Sequence, residues 1–588
     1  MSQPNRPNVI YIITHDQGIA ASCYANFGPC ASAKMKTPHL DRLAENGAML
    51  TRHFGTAPQC SPARGSLITG LHPHINGLVG LTHRGFEISP QCLENTIFQQ
   101  FRRYGYHTKL IGMHHETKYD PRILGYDETS DPHNYEGIVM QVHEYLKEMK
   151  EKGNNNQPFW LTIGTGNLHL TWDKKTPEEA WYKPQDVDVP PFLPDTEPVR
   201  RYLGKFYSIL EEYDGFVGKV LQIIDELGLD ENTIVIHTTD HGIAHPRAKG
   251  TLYEPGNHNM MIYSYPKQIK KGKKLHSLLS SIDFAPTICE LCNVPPHPNY
   301  MGKSYASLLK SDIIDEETQI QPFIYKEMTY HDVYNPMRSV RSQRFKYIKN
   351  YEPEKVSLID SIPGDIKRTP LYEEWLKHGT NTTRFREEFF DLQKDPLEEY
   401  NLLDERGQLK GSTEEDNEEY QQKLDELKEK LKEFLVATND PILNGHYPAP
   451  VDANVSNAAD FDHIPEKSFS AAGVFSKDEE GIPMINTEFG MDGTNLLIPI
   501  GEILEEFNGE SFDLIIEEEN AGIGTLTLEA DNKISFSGMD LGGLLLKSHF
   551  QNGDLINITV GKYPNRNVPT LHFGKVTSLL PSIQSGGE

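Results

Sequence analysis

Asn8 to Thr14 (NVIYIIT) is continuously apolar and β-branched, the pattern of a strand covered on both faces. Comparable runs recur at HTKLIG (107–112), FWLTIGT (159–165) and NTIVIHTT (232–239). Between them apolar residues take a helical spacing. The clearest set runs from Tyr202 through Phe206, Ile209, Tyr213, Phe216, Val220 and Ile224 to Leu227, with Gly228 where a C-cap belongs. Strands alternating with helices predict an α/β fold: a large, mixed, mainly parallel sheet sandwiched by helices.

From about residue 320 the texture changes. PFIYKEMTYHDVYNPMRSVRSQRFKYIKNY reads as antiparallel strands, and a polar helix follows with Tyr420, Leu424, Leu427, Leu431, Phe434 and Leu435 on one face. HYPAPVDANVSNAAD has the composition of a linker. Short alternating runs such as FDLIIEE, GTLTLEAD and LINITVG then predict an all-β module. The expected division is a main domain over 1–320, a smaller antiparallel-sheet subdomain over 321–445, a linker over 446–460 and a β-rich module over 461–588.

In α/β sheets, ligands gather beyond the carboxyl ends of the strands. The polar residues that follow the four runs are therefore the first candidates: His15 and Asp16, His114 to Glu116, His169, and Asp240 with His241. Four such endings in one chain form a pattern.

Charge narrows the ligand. The net charge is −27 over 588 residues. The last 138 residues hold 22 acids and 7 bases, against 62 and 50 in the first 450. General nucleic-acid binding, which needs a basic footprint, is excluded as an expectation. A small anion in a locally basic pocket is not. No run of apolar residues is long enough for a membrane helix. No apolar leader core precedes the first strand, so a cytoplasmic location is expected. Six cysteines do not make a disulfide framework, and Cys289 and Cys292 (SIDFAPTICELC) read as core residues of an amphipathic helix.

The strongest local signal is Cys60-Ser61-Pro62-Ala63-Arg64-Gly65, followed by SLITGLHPHING. Pro62 suits the first turn of a helix. Residue 60 then sits at a helix N-terminus, where N–H groups favour anionic oxygen, and Arg64 lies one turn on and can point back at the same group as a catalytic residue. This C-x-P-x-R string with its tail resembles the maturation motif of sulfatases. Residues 8–445 resemble that family within the alkaline-phosphatase superfamily. Within it they are most like the heparan N-sulfatase (N-sulfoglucosamine sulfohydrolase) group, through Cys60 to Gly77, TTDHGIAHPRAKGTLYEPG (238–256) and NPMRSVRSQRFKYIKN (335–350). FFDLQKDPLEEYNLLD (389–404) resembles a general sulfatase marker.

The resemblance implies the following. Cys60 is oxidised by a maturation enzyme to formylglycine, whose hydrate supplies the nucleophilic oxygen. One divalent cation, calcium in the family, is held with residue 60 by His15, Asp16, Asp240 and His241. The family has Asp where His15 stands and Asn where His241 stands, and imidazole suits manganese or another transition metal better than calcium. Lys249 matches the lysine that holds the sulfate, and His169 the histidine that protonates the leaving group. His115 matches the histidine that assists breakdown of the enzyme-bound sulfate. The lysine of the family's K-x-H is Met113 here, which leaves His114 as a replacement cation. His331 lines the pocket from the smaller subdomain.

The expected function is formylglycine-dependent hydrolysis of a sulfate ester or sulfamate of a small saccharide. The alternatives are a phosphodiesterase or phosphonate monoester hydrolase of the same superfamily, or an inactive relative that binds sulfated glycans. No nucleic acid and no membrane are expected as partners, and a homo-oligomer is compatible with the reading.

Overall fold

The computed structural model describes residues 6–445 apart from 133, 153–156, 171, 173–180, 379–383 and 411–413, then 447, 449–450, 453–455 and strands between 467 and 575. Nine strands form the main sheet: β1 (Asn8–Thr14), β2 (Ala48–Leu50), β3 (His107–Gly112), β4 (Glu128–Ser130), β5 (Phe159–Gly164), β6 (Thr233–Thr239), β7 (Met261–Ser264), β8 (Lys273–Leu275) and β9 (Asp315–Glu316). Their order is β9-β8-β2-β7-β6-β1-β5-β3-β4. β7 runs against both of its neighbours, β2 and β6. The other pairings are parallel. All four apolar runs are strands, and they lie side by side as β6-β1-β5-β3.

Their continuous hydrophobicity has a direct cause, because each face of the sheet meets its own core. In β1, Ile10 and Ile12 join a cluster with Phe206, Leu210 and Val217 of the long helix Glu197–Glu226. Val9, Tyr11 and Ile13 point the other way, to Leu67, Phe284 and Ile288. The alternation of a pleated strand thus feeds two cores. The helix begins at Glu197, a turn before the first apolar residue of the pattern, with Pro198 in its first turn. Gly228 follows it at φ +61°. Cys289 and Cys292 are fully buried free thiols, as expected of core residues.

A second, antiparallel sheet holds β10 (Ile324–Tyr330), β11 (Tyr334–Arg341), β12 (Phe345–Asn350) and β13 (Glu387–Asp391) in that order. The polar helix Glu414–Ala437 covers it with Tyr420, Leu424, Leu427, Leu431 and Leu435, all buried. In the stretch read as a linker, the described residues are docked. Tyr447, Ala449 and Val455 are buried in the same core as α-helical Leu67. Arg84 and Asn454 exchange main-chain and side-chain hydrogen bonds, both 3.0 Å long. Three spaced apolar side chains anchor what the Pro- and Asn-rich composition presents as free chain. Beyond 460, the described strands, from Lys467–Lys477 to Thr570–Lys575, form one eight-stranded sheet whose pairings are antiparallel but for Ser511–Ile516 with Thr570–Lys575. Among the described residues no helix is long and apolar enough to cross a membrane.

Candidate active site

The four adjacent strand ends deliver their polar residues to one place, facing the first turn of the helix Cys60–Thr69. That helix is buried on every side, so its position is fixed by packing all round. Extended Gln59 is its N-cap, Pro62 lies in the first turn, and Gly70 ends it at φ +64°. Cys60 Sγ lies 3.2 Å from His241 Nε2 and 3.9 Å from Asp16 Oδ1. Burial opposes the Cys60 thiolate, but Lys249 and His241 outweigh it and hold the thiol well below its ordinary range.

Asp16 occupies the left-handed region at φ +53°, a conformation that costs a non-glycine residue about 1 kcal/mol or more. The turn is held by its own N–H, which donates to Asp240 Oδ1 at 3.0 Å. It points the Asp16 carboxylate at His241 Nε2 and Lys249 Nζ, each 2.9 Å away. His15 Nδ1 is 2.9 Å from Asp240 Oδ2, and its Nε2 is 3.0 Å from Met113 Sδ. Burial opposes ionisation of Asp240, yet His241 and His15 bring its carboxyl well below the usual carboxylate range.

Arg64 is committed differently from the expectation that it points back at residue 60. Its Nε donates to Asp240 at 3.2 Å, one terminal nitrogen to Glu116 at 3.2 Å, and the other to the Thr14 carbonyl at 3.1 Å. Two buried carboxylates and a carbonyl outcompete a thiol for a guanidinium. Arg64 therefore fixes the ends of β1, β3 and β6 relative to each other, and its charge still reaches Cys60.

His169 Nε2 lies 3.5 Å from Lys249 Nζ. Burial and Lys249 lower its basicity, but Asp16 and Cys60 raise it further, and the balance is above the ordinary histidine value. His115 shares a cluster with His15 and Cys60, and its Nε2 is 3.2 Å from His83 Nδ1, with the two rings stacked. His114 is set apart: the charges that act on it are Glu116, His115, Asp131 and Arg64. His331 is buried, with Nδ1 3.5 Å from Asp332 Oδ2, and it acts electrostatically on His83 at the rim.

Lys249 reveals a residue outside the sequence pattern. Its Nζ lies 3.1 Å from Asp365 Oδ2, contributed by the loop between β12 and β13. Glu116, present among the strand-end residues, gains a role as the partner of Arg64. Asp365 had no signal in the chain, because 116 residues separate it from the lysine it meets.

Among the described residues, three groups of side chains bring metal-ligating atoms within 4.8 Å around this pocket: His15, Asp16, Cys60 and Asp240; His15, Cys60 and His115; and Asp16, His169 and Asp365. In the last, the Lys249 ammonium stands between both carboxylates and already supplies the positive charge. The first fits a cation: two fully buried carboxylates converge from two strand ends, with His241 beside them. A fourth group, His74, Glu327 and Asp440, already has the Arg338 guanidinium paired with both of its carboxylates.

Residues 7–294 match the family described as Sulfatase, and residues 241–375 match the one described as N-sulphoglucosamine sulphohydrolase, C-terminal. An ulvan-active sulfatase of Formosa agariphila is 27% identical over 74% of this chain and 76% of its own. The human N-sulphoglucosamine sulphohydrolase is 26% identical over 74% of this chain and 91% of its own. Among solved structures, yidJ of Bacteroides fragilis superposes with a TM-score of 0.56 at 20% identity, covering 76% of this chain and 99% of that one. BT4656, solved with its substrate D-glucosamine-2-N,6-O-disulfate, gives 0.52 at 17% identity, covering 74% and 98%. The fold is that of these solved structures, alkaline-phosphatase-like.

Proposed function

Because this chain belongs to the sulfatase family, we propose that the pocket around residue 60 hydrolyses a sulfate ester or sulfamate of a saccharide and releases inorganic sulfate. The observation that carries the reading is the placement of Cys60. It opens a buried helix while facing His241, Asp16 and Lys249. Oxidised to hydrated formylglycine, residue 60 presents an oxygen nucleophile where backbone N–H groups favour negative charge.

His15, Asp16, Asp240 and residue 60 would hold one divalent cation, with His241 at its edge; the imidazoles favour manganese or another transition metal over the family's calcium. When bound, it supplies Lewis-acid polarisation of a sulfate oxygen. Lys249 binds and orients the sulfate and offsets charge developing on its oxygens. The residue-60 oxygen attacks sulfur, and the bond to the sugar breaks. His169 gives its Nε2 proton to the departing oxygen or nitrogen. His115 then takes a proton from the second hydroxyl of residue 60 as sulfate leaves and the aldehyde reforms.

The test joins mass to rate. Protein made in its native host should yield a tryptic peptide whose residue 60 has the mass of formylglycine. Sulfate release from N-sulfoglucosamine or an O-sulfated saccharide should vanish in Cys60→Ala. An unmodified thiol in protein that still turns over would overturn the assignment of the nucleophile.

A further inference from the structure

The pocket has a floor and an open wall. Asp16, Asp240 and His241 on the floor have side chains with no exposure, whereas His169 and Asp365 keep 36% and 20%. The sugar must therefore meet His169 and Asp365 first. The Asp365 carboxylate lies 3.7 Å from His169 Nε2, the nitrogen assigned to the leaving group, and 3.1 Å from Lys249 Nζ.

This carboxylate is held in place. Its Oδ1 accepts from the Ile366 N–H at 2.9 Å. The preceding Gly364 N–H donates to Asp332 at 2.6 Å. Ile362 and Ile366 are buried, and Pro363 lies over Gly250, where a Cβ would meet it at 3.0 Å. Gly250 follows Lys249, so the two charged residues belong to loops locked against each other.

We infer that Asp365 is a specificity-determining residue that favours a sulfamate over a sulfate ester by receiving the amine that departs. The inference rests on the hydrolytic reading above and names its substrate class. The two substrates end differently. When an S–O bond breaks, the oxygen keeps the electron pair, takes one proton from His169 and leaves as a neutral hydroxyl. When an S–N bond breaks, the nitrogen keeps the pair and takes one proton from His169. It then takes a second from solvent water, which is made good by the proton that His115 releases after sulfate leaves, to become an ammonium. Sulfamate cleavage thus yields an anion and a cation side by side. The Lys249–Asp365 ion pair has the complementary charges in the same order: the sulfuryl group meets Lys249, and the nitrogen meets Asp365 through a charge-assisted hydrogen bond. A hydroxyl leaving group draws less on the carboxylate.

The experiment compares the full-length, formylglycine-bearing enzyme with Asp365→Asn on N-sulfoglucosamine and on glucosamine 6-sulfate. A charge-assisted hydrogen bond corresponds to a roughly 10- to 100-fold effect. kcat/KM for the sulfamate should fall by that factor in the variant, and by at least fivefold more than for the ester. Equal losses on both substrates would overturn the inference and leave Asp365 a support for Lys249, which serves both. Wild-type enzyme that cleaves only the ester would overturn it too, with the hydrolytic reading intact. Enzyme that cleaves neither but releases sulfate from another saccharide ester would overturn the inference with the hydrolytic reading intact, and enzyme that releases sulfate from no saccharide removes both. If only the sulfamate is cleaved, inhibition decides: the variant should bind glucosamine at least fivefold more weakly with N-acetylglucosamine unchanged, and parallel changes would overturn the inference.

Discussion

His15 Nε2 and Met113 Sδ lie 3.0 Å apart at the inner wall of the pocket. The two positions match an aspartate and a lysine in the family this chain resembles. Here a negative and a positive charge are both absent, so the formal charge of the wall is the same. His15 instead turns its Nδ1 to Asp240 at 2.9 Å. The two replacements should therefore be coupled. His15→Asp alone adds a third carboxylate beside Asp16 and Asp240, and Met113→Lys alone adds an unpartnered ammonium. Each single variant should lose about 1–3 kcal/mol of stability, and the double variant should recover much of it. A four-cornered cycle of denaturant midpoints and of kcat/KM measures the coupling. Additive losses would show that the two residues act independently.

A second ion network ties the antiparallel sheet to the main domain. Arg338 is buried and reaches Asp440 through Nε at 2.5 Å and Glu327 at 3.3 Å. Glu327 in turn lies 2.6 Å from His74 Nδ1, in the short helix Pro73–Asn76. Arg338→Met would leave two buried carboxylates facing one imidazole. Removing one partner of a buried set costs about 3–5 kcal/mol. The variant should unfold at clearly lower denaturant, while Arg338→Lys should recover part of the loss. A shift below about 1 kcal/mol would mean that water enters and solvates the carboxylates.

Much of the floor of the pocket was legible because it follows from strand order. A buried parallel strand is a continuous apolar run, and the residue after it is at the ligand edge. That reasoning alone reaches His15, Asp16, His115, His169, Asp240 and His241. What it lacks is anything that depends on two distant loops meeting. Asp365 follows no strand, stands in no motif, and acquires meaning only when Pro363 settles on Gly250. Arg64 shows the other limit. Its spacing from Cys60 is that of one helical turn, but its hydrogen bonds are decided by Glu116 and Asp240, which the helix alone does not contain. The docked residues of 447–455 were hidden by a composition typical of loops.

Buried neutral histidines set the acid limit of stability. Desolvation lowers His53 and His237 from 6.5 to about 3, and His258 to about 4. His237 is paired with the Tyr213 hydroxyl at 2.8 Å and His258 with the Thr51 carbonyl at 2.9 Å. Their folded values lie below the unfolded one. Between pH 6.5 and about 3–4 the unfolded chain therefore binds more protons than the native state. Stability is complete above pH 6.5 and falls as the pH drops through that window. At pH 5 each of the two lower groups contributes a loss of about 2 kcal/mol. The melting temperature should drop steeply between pH 6.5 and 5, and His53→Phe should flatten the slope. An unchanged melting temperature over that range would contradict the burial of these rings as neutral groups.

Asp332 is a charged anchor of the loop that carries Asp365, beside the Lys249–Asp365 ion pair. Asp332 accepts from the Gly364 N–H at 2.6 Å, pairs with Arg84, and lies 3.5 Å from His331. Burial opposes its ionisation, but His331, that N–H and Arg84 together hold the carboxyl well below the usual range. Arg84 also binds the main chain of Asn454. Asp332→Ala would release Gly364 and Asp365 while Lys249 remains paired with Asp16. The floor chemistry should persist, but the open wall would be disordered before substrate arrives, and ordering it would weaken binding. KM should rise by roughly 5- to 20-fold with a smaller fall in kcat, as expected when positioning is lost and the reacting groups stay. Asp332→Asn, which keeps the acceptor for Gly364 and removes the charge, should lie between the two. A loss confined to kcat would instead place Asp332 in the chemical step, acting through His331 on the histidines of the rim.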